Sequence, residues 1–231
     1  MDGAQRRIHG ALTMEDLFPF VRYLPVLLDG LLGTIRIALV SLLLSVPIGL
    51  MVGAGRYSTR PLFAWPARLY VEVFRNTPIL VLIIWFFFAF PLLVPFRIDA
   101  YTAAVLALTL NSSAFFAEIF RAGIQSIVKG QWEAAKALGM SYRQQMRRII
   151  LPQAIRRMIP AFTNRWIELF KLTSLSAAIA YHDLTHTARL VASAYYNPVE
   201  AFTVAAFIYF LAIYPMVQVT YLIERRLRRG E

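Results

Sequence analysis

Long apolar runs constrain this chain more than any other feature of its sequence. Five segments of mostly apolar residues each approach or exceed the roughly 20 residues that a helix needs to cross the hydrocarbon layer of a bilayer. Backbone that is not hydrogen-bonded within a helix or a closed barrel is too costly in lipid, so these runs predict an all-α integral membrane protein. The segments span about 26–54, 70–92, 100–121, 158–181 and 198–222.

The composition agrees with a membrane protein. Only 16% of the 231 residues are charged and 58% are hydrophobic, whereas a soluble domain is nearer a quarter charged. The net charge of +11 comes from basic residues that flank the apolar segments. This is the positive-inside pattern of membrane proteins, and we do not expect nucleic acid as a partner.

Several classes of site are excluded or disfavoured by residue type. The chain contains no cysteine, which excludes disulfides and metal or redox sites built on Cys. His182 and His186 lie four residues apart, but no HExxH pattern surrounds them, so we expect no metal site. The first 20 residues lack the apolar core and the cleavage site of a signal peptide, and we expect none to be removed.

The distribution of Lys and Arg predicts the orientation. Cytoplasmic loops carry the excess of basic residues. Here that excess falls between the first two spans, between the third and fourth, and after the fifth. We therefore expect an extracytoplasmic N-terminal segment at 1–25, five transmembrane helices and a cytoplasmic C-terminus. Arg36 falls inside the first span, but residues 37–54 carry no charge, so its guanidinium can reach the outer interface.

The cytoplasmic loop at about 122–157 carries local signals for two helices. The residues before Gly139 are good helix formers, and this glycine stands where a glycine commonly ends a helix. Ser141 can cap a second helix, with Gln144 completing a capping box. Pro152 is expected to interrupt or bend the chain before the fourth span. An amphipathic loop lying on anionic lipid would require the charges and apolar residues but not this spacing.

The spacing in this loop resembles a motif of ABC importer membrane subunits. Glu133-Ala134-Ala135, then Gly139, then Ile149-x-Leu151-Pro152 match the pattern EAA, three residues, G, nine residues, I-x-LP at every defining position. Three more segments resemble the polar amino-acid importer permease family, and with the motif they cover roughly 26–228. They read EVFRNTP from residue 72, AEIFRAGI from residue 117 and KLTSL from residue 171.

The resemblance implies a permease domain at 26–228 with the type I ABC importer permease fold, in a bacterial cytoplasmic (inner) membrane. It also implies that the short helix bearing Glu133 docks in a groove of an ATPase subunit and transmits its closure to the spans. The implied partners are an ABC ATPase subunit dimer, a second permease subunit (identical or paralogous), an extracytoplasmic amino-acid-binding protein and membrane lipid. The ATPase-coupling residues implied are Glu133, Ala134, Ala135, Gly139, Leu151 and Pro152.

ATP hydrolysis is expected in a separate subunit. A P-loop requires glycines followed by Lys and Ser or Thr. None of the three lysines, Lys129, Lys136 and Lys171, lies in such a loop. No catalytic arrangement of Ser, His and Asp or of paired carboxylates suggests another reaction. We therefore expect this chain not to be an enzyme and to hold no cofactor, with ATP bound by the partner.

Two charged pairs inside the predicted spans have a simple structural interpretation. Ionisable residues in spans are candidates for function because burying them is costly. Glu72 with Arg75, and Glu118 with Arg121, lie three residues apart, so each pair can neutralise itself on a helix. We interpret both as local pairs near the cytoplasmic ends of their spans.

A third cluster lies in the fourth span and is the candidate substrate site. Donors from Arg165, Lys171 and Thr173 could bind the carboxylate of a zwitterionic amino acid. Many members of the family carry an acidic residue directly after the equivalent lysine, but Leu172 takes that place here. This favours an acidic or neutral polar amino acid over a cationic one. The candidate substrate-binding residues are Arg165, Glu168, Lys171, Thr173 and Ser174.

Two other functions are less consistent with the sequence than that of an importer subunit. A self-sufficient secondary transporter or channel for a small polar solute would ordinarily show internal repeats or intramembrane carboxylates for ion coupling. We find no repeat, and the carboxylates in the spans have basic neighbours. An accessory assembly subunit would need no polar residues in the spans. The importer subunit is favoured, with substrate entering between spans three to five of two apposed permease subunits.

Overall fold

A computed structural model describes residues 22–95 and 97–228, and every regular element in those two ranges is a helix. Most of the predicted N-terminal segment, residues 1–21, lies outside the described residues. The helices form one bundle, and the connections between them gather at its two ends.

The first predicted span is a single helix, α1 (Leu24–Tyr57), which continues through Pro47. Small residues on α1 allow the helix of the third predicted span to approach closely. A Cβ atom at Gly49 would lie 2.6 Å from the Cβ atom of Phe116. Arg36 is exposed, and its guanidinium lies 4.7 Å from the centre of the Tyr101 ring.

The prediction of one continuous helix over 70–92 is wrong. Helix α2 (Pro61–Asn76) ends at Thr77, and the chain bends by 101° before the next helical stretch, Ile79–Leu92. The physical reason is Pro78, which disfavours helical backbone in the residue before it. Thr77 accordingly has an extended ψ of 129°. The stretch after the bend consists of α3 (Ile79–Ile84), a π-helical turn (Trp85–Ala89) and a 3₁₀ turn (Phe90–Leu92).

The third predicted span is α4 (Ala100–Gln125), which forms the centre of the bundle. Asp99 caps it by accepting the N–H of Thr102 at 2.9 Å. Within its most apolar window 67% of the residues are buried, and it packs against α1, α2 and the helix of the fourth span. A central position explains why its buried surface is built from small and polar residues as well as apolar ones.

The loop after α4 and the fourth predicted span form a nearly continuous helical path. Helix α5 (Lys129–Ala137) precedes α6 (Tyr142–Gln145), a π-helical turn (Met146–Ile150) and α7 (Leu151–Leu172). A 3₁₀ segment (Thr173–Ile179) follows α7 and ends at Ala180, which has a positive φ of 56°. The predicted span at 158–181 therefore begins earlier as a helix and tightens in its last part.

The last two helices are α8 (Leu184–Tyr195) and α9 (Pro198–Arg228). Asp183 caps α8 by accepting the N–H of His186 at 2.8 Å. In the apolar window of α9 only 11% of the residues are buried. Most of its surface is therefore available to lipid or to a partner.

By length and apolar composition, α1, α4 and α9 qualify as membrane spans, and α2 with Ile79–Leu92 makes a fourth as a bent pair. Helix α7 does not qualify, because it carries Arg156, Arg157, Arg165, Glu168 and Lys171. The described part of the chain is thus an all-helical membrane bundle with three to four spans by composition alone.

One end of the bundle is rich in arginine, with Arg56 on α1, Arg121 on α4, and Arg147 and Arg148 before α7. Tyr57, at the end of α1, packs with Ile124 near the end of α4 and with Ile150 before α7. We call this end the basic end. At the opposite end, the Tyr181 hydroxyl donates to the carbonyl of Gly33 at 3.3 Å. The path from Leu151 to Tyr181 therefore runs from one end of α1 to near the other.

Candidate functional site

The predicted docking motif forms a short helix with a well-defined end. Helix α5 carries Glu133 and Ala134 on its exposed side, whereas Ala135 is 1% exposed. Gly139 has a φ of +70°, which favours glycine because a Cβ atom is strained there. Its N–H donates to Lys136 O at 3.0 Å, and the N–H of Met140 donates to Ala135 O at 3.2 Å. This is the Schellman ending that the glycine predicted.

The second helix of the loop begins as predicted. The Ser141 hydroxyl accepts the N–H of Gln144 at 3.4 Å, and the Gln144 side chain accepts the N–H of Ser141 at 2.8 Å. These reciprocal bonds form a capping box and satisfy two N–H groups that the helix leaves free. The turn between α5 and α6 is therefore fixed by bonds from both sides.

Pro152 does not interrupt the chain, which corrects the expectation from the sequence. It lies in the first turn of α7, and the helical path runs from α6 through the π-helical turn into α7 without a break. In the first turn of a helix the N–H that proline lacks would have no partner within the helix, so Pro152 is tolerated there. The π-helical turn before it also changes which N–H and C=O groups pair. The Gln153 side chain donates to Ile149 O at 3.0 Å across this turn. Leu151 is half-buried beside it.

Helix α5 is held firmly against the bundle. The rings of Trp132 and Tyr142 stack with their centres 6.3 Å apart. Trp132 also packs against a buried cluster that joins the end of α4 to the start of α7. The Arg157 guanidinium of α7 donates to the carbonyl of Ser126. Trp132 thus packs α5 on the end of α4 and the start of α7.

A cleft lies beside the last turn of α1. Its volume is about 700 Å³, and Tyr57, Phe120, Tyr142 and Leu151 are among the residues that line it. Tyr57 also packs against the cluster that contains Ile124 and Ile150, so the end of α1 stays in contact with α4 and the start of α7 beside the cleft.

Glu118 joins three helices near the basic end. Arg121 Nη2 of the same helix lies 2.8 Å from its carboxylate, Arg75 Nη1 of α2 lies 3.9 Å away, and Arg56 of α1 forms a third ion pair. The local pairing of Glu118 with Arg121 is confirmed. Glu72 instead accepts a hydrogen bond from Asn76 at 2.8 Å, so its predicted pairing with Arg75 is wrong.

The candidate substrate cluster divides into a buried and an exposed part. Arg165 is 4% exposed, and its guanidinium donates to Asn111 Oδ1 at 2.7 Å and to Ser112 Oγ at 3.2 Å. It also donates to Glu168 Oε2 at 2.8 Å and lies 3.9 Å from the centre of the Phe115 ring. These contacts occupy both terminal nitrogens, whereas the buried Nε has no hydrogen-bond partner in the described part of the chain. We call Asn111, Arg165 and Glu168 the central network.

The remaining candidates differ in access. The Thr173 hydroxyl is fully buried and donates to Phe170 O at 2.7 Å. Ser174 is half-buried and donates to Lys171 O at 2.8 Å. Glu168, with 58% of its side chain exposed, and Lys171 lie on one exposed face of α7. The structure thus presents one carboxylate and one ammonium for contact.

The sequence interpretation missed Asn111 and the break at Pro78. Asn111 is 4% exposed, and its Nδ2 donates to Phe74 O at 2.7 Å. The Thr77-Pro78 pair was a usable signal, since a residue before proline usually ends a helix. Nothing local marked Asn111, because its partners lie 37 and 54 residues away.

A metal site is not supported in 22–95 and 97–228, where no group of three or more His, Cys, Asp or Glu could hold an ion. His182 Nε2 lies 3.0 Å from Asp29 Oδ2 at the end opposite the basic end, and the rings of His182 and His186 are 6.5 Å apart. His182 precedes α8, and His186 lies in the first turn of that helix.

Comparisons with known proteins agree with these features. The arginine transport system permease protein ArtQ of Bacillus subtilis is 36% identical over 216 residues, covering 94% of this chain and 99% of that protein. The probable glutamine ABC transporter permease protein GlnP of B. subtilis is 39% identical, covering 84% and 90%. The glutamate/aspartate import permease protein GltK of Escherichia coli is 36% identical, covering 91% and 97%.

Solved structures show the same fold. A chain from the crystal structure of an amino acid ABC transporter with histidines superposes with a TM-score of 0.86 at 35% identity, covering 93% of this chain and 100% of that one. A chain of the inward-facing MetNI methionine ABC transporter superposes with a TM-score of 0.75 at 23% identity, covering 89% and 98%. The second likeness supports the fold alone.

A family model decides between the functional interpretations of the sequence. It matches residues 45–229 and describes a binding-protein-dependent transport system inner membrane component. A component of such a system works with an ATPase and a binding protein, and it is not itself the catalytic subunit. The interpretation as a self-sufficient secondary transporter or channel is therefore wrong: the chain belongs to the family of inner membrane components of binding-protein-dependent ABC transporters.

Proposed function

We propose that this chain is the permease subunit through which a bacterial ABC importer takes up a polar amino acid. The observation that carries the proposal is α5, which presents Glu133 and Ala134 to solvent and ends at Gly139 with positive φ. The relatives named for arginine, glutamine and glutamate/aspartate support amino acids as the cargo class. We propose that this chain needs no cofactor and that ATP binds to the partner subunit.

The proposed topology has five crossings, with residues 1–25 outside and the C-terminus in the cytoplasm. The path through α7 and the 3₁₀ segment supports the fifth crossing, because it extends from Leu151 near the basic end to Tyr181 near the start of α1. Arg residues concentrate at the basic end, which the positive-inside rule assigns to the cytoplasm. The permease domain then covers 26–228, with the coupling loop at 122–157 on the cytoplasmic side.

A second permease subunit, identical or paralogous, would cover the polar face of α7. Asn164, Glu168 and Lys171 are exposed on that face at spacings of four and three residues. Exposed charges on a span are costly against lipid and are found at water-filled or protein-covered surfaces. We place the substrate path between the two subunits at this face.

Within that path, the exposed charges suit the two ends of a free amino acid. The Glu168 carboxylate can bind an α-ammonium group, and the Lys171 ammonium can bind an α-carboxylate. Arg165 and Thr173 lie behind this face and would support it from within, with Ser174 at its edge. Leu172 offers no charge to a cationic side chain, so we propose an acidic or neutral polar cargo.

Coupling is proposed to run through α5. Its exposed Glu133 and Ala134 would enter a groove of one subunit of the ATPase dimer, and Ala135 would anchor the helix to the bundle. Gly139 ends the helix, while Leu151 and Pro152 start the helix that carries the substrate face. Closure of the ATPase dimer would then move α5 and α7 together.

Uptake by the assembled importer tests the proposal. The complex with its ATPase and binding protein is reconstituted in liposomes, and ATP-dependent uptake of radiolabelled glutamine, glutamate and arginine is compared. We expect uptake of glutamine or glutamate, and no uptake without ATP. Stronger uptake of arginine than of the other two would overturn the assignment of the cargo, and no ATP-dependent uptake of the three would overturn the amino-acid proposal.

The absence of native cysteine makes the topology directly testable. Single substitutions Arg97→Cys and Asn197→Cys should react with an impermeant maleimide on intact cells. Arg60→Cys and Gly130→Cys should react only after the membrane is opened. All four positions are exposed. Labelling of positions 130 and 197 from the same side would remove α7 as a crossing.

A further inference from the structure

The break in the second span leaves the backbone carbonyl of Phe74 without its helical partner. In a continuous helix, Phe74 O would accept the N–H of residue 78, but Pro78 has none. Asn111 of α4 supplies a donor instead, with Nδ2 at 2.7 Å from Phe74 O. The neighbouring carbonyl of Val73 is satisfied by Thr77, whose N–H lies at 3.2 Å and whose hydroxyl lies at 2.7 Å.

The same amide holds a buried cation with its other atom. Asn111 Oδ1 accepts a hydrogen bond from Arg165 Nη2 at 2.7 Å, and Arg165 Nη1 donates to Glu168 at 2.8 Å. Asn111 and Arg165 are each 4% exposed. An unpaired amide or guanidinium at that burial is costly, and the bond to the partly buried Phe74 carbonyl pairs the amide at its donor end, so both bonds contribute to stability.

We propose that Asn111 is a positioning residue with two separable actions. Its Nδ2 caps the break between α2 and α3 and so fixes the angle of the second span. Its Oδ1 holds Arg165, and through Arg165 it holds Glu168 at the exposed face of α7. The second action rests on the proposed role of Glu168 at the substrate path, whereas the first does not. An amide serves both because it has a donor end and an acceptor end.

Two substitutions separate the actions. Asn111→Asp keeps an acceptor for Arg165 but removes the donor to Phe74, because an ionised carboxylate only accepts. Asn111→Leu removes both. Thr109→Val is the matched control, since Thr109 is a buried polar residue of the same helix whose hydroxyl has no hydrogen-bond partner in the described part of the chain. All variants are studied in the complete complex with its ATPase and binding protein.

Hydrogen exchange tests the cap without any transport measurement. Loss of a buried hydrogen bond costs enough to raise local opening, so we expect exchange of the amides at 77 and 79–84 to rise about tenfold in Asn111→Asp and in Asn111→Leu. Thr109→Val should match wild type. Unchanged exchange at these amides in Asn111→Asp would overturn the capping action.

Transport kinetics test the second action, using whichever of glutamine, glutamate or arginine the wild-type complex takes up. We expect Asn111→Leu to raise KM about tenfold, and Asn111→Asp to keep KM within about twofold while lowering turnover. Arg165→Met added to Asn111→Leu should raise KM no further, because the two act in series. An equal rise of KM in both Asn111 variants, or additive effects with Arg165→Met, would overturn the positioning of Glu168. If the wild type takes up none of the three, the proposed cargo fails while the exchange experiment still decides the cap.

Discussion

The coupling loop and the central network are both polar and both connect helices, but they are built in opposite ways. In the coupling loop, Ser141 and Gln144 cap each other across three residues, and Met140 bonds Ala135 across five. In the central network, Arg165 reaches Asn111 across 54 residues of sequence, and Asn111 reaches Phe74 across 37. The turn of the coupling loop is closed by bonds between near neighbours in sequence, whereas the central network and its bond to Phe74 exist only when α2, α4 and α7 have come together.

This difference matches the roles proposed for the two regions. A helix that docks on a partner must keep its shape while the partner moves, and bonds between near neighbours in sequence provide that. A region that changes between conformations must join separate helices, so that their relative positions can be altered.

Glu118→Gln tests whether polar contacts between helices stabilise the fold more than polar contacts within one helix do. We expect the largest effect from this substitution. The substitution removes the one carboxylate that forms ion pairs with Arg56, Arg75 and Arg121, and the Glu118 side chain is only 16% exposed. Breaking a buried ion pair from one side costs about 3–5 kcal/mol. The melting temperature and yield of the complex in detergent measure the loss.

The control for this prediction is Glu72→Gln, since Glu72 is exposed and bonds only to Asn76 of its own helix among the described residues. We expect it to change the melting temperature little. Equal destabilisation by the two substitutions would remove the special role of Glu118 as the junction of three helices.

The same distinction decides how much could be predicted from the sequence. The ending of α5 at Gly139 and the capping box at Ser141 depend on residues within a few positions, and both were predicted correctly. The break at Pro78 had a local signal that was outweighed by the apolar run around it. The partners of Asn111 and Arg165 depend on helix packing, which no local pattern encodes. The prediction that opposite charges three residues apart form a pair is confirmed for Glu118 with Arg121 and is wrong for Glu72 with Arg75.

Asp183 makes both a local contact and a contact between helices. The pH dependence of stability tests the energetic effect of the second. Asp183 caps α8 locally, but packing of α8 on α1 buries it completely. Burial raises the pKa of this carboxyl from 3.8 to about 6. The folded state then binds more protons than the unfolded state between these values, so stability should fall as the pH rises from about 4 to 6, by up to about 3 kcal/mol.

Asp183→Asn should remove this dependence, because it keeps the cap acceptor and carries no charge. We expect its melting temperature to exceed that of wild type at pH 7 and to equal it near pH 4. Asp99→Asn provides the opposite sign: hydrogen bonds from Thr102 lower the pKa of Asp99, so that variant should be less stable than wild type at pH 7. The same pH profile for both variants would show that burial of Asp183 has no energetic effect.

Gly139→Ala tests whether the turn of the coupling loop is stabilised by its own residues. A residue with a Cβ atom at a φ of +70° costs about 1–2 kcal/mol relative to glycine. We expect faster hydrogen exchange in α5 and weaker stimulation of the ATPase by the loaded binding protein. Gly130→Ala is the matched control: neither position has another group within 4 Å of an added Cβ, but Gly130 has no positive φ. Alanine there should be neutral or slightly stabilising, and equal uncoupling by both variants would contradict the proposed role of the turn.

Ser141→Ala should have the smallest effect and the most local one. It removes the hydroxyl that accepts the N–H of Gln144, which costs about 1 kcal/mol at the start of a helix. Because Ser141 is exposed and its cap lies within the loop, exchange should rise in α6 and leave the amides near Pro78 unchanged. Ser141→Asp, which retains a capping acceptor, should restore protection of α6. If Ser141→Ala instead raised exchange of the amides at 77 and 79–84, the two regions would be energetically linked, and the distinction between a locally bonded loop and a packing-dependent network would have to be given up.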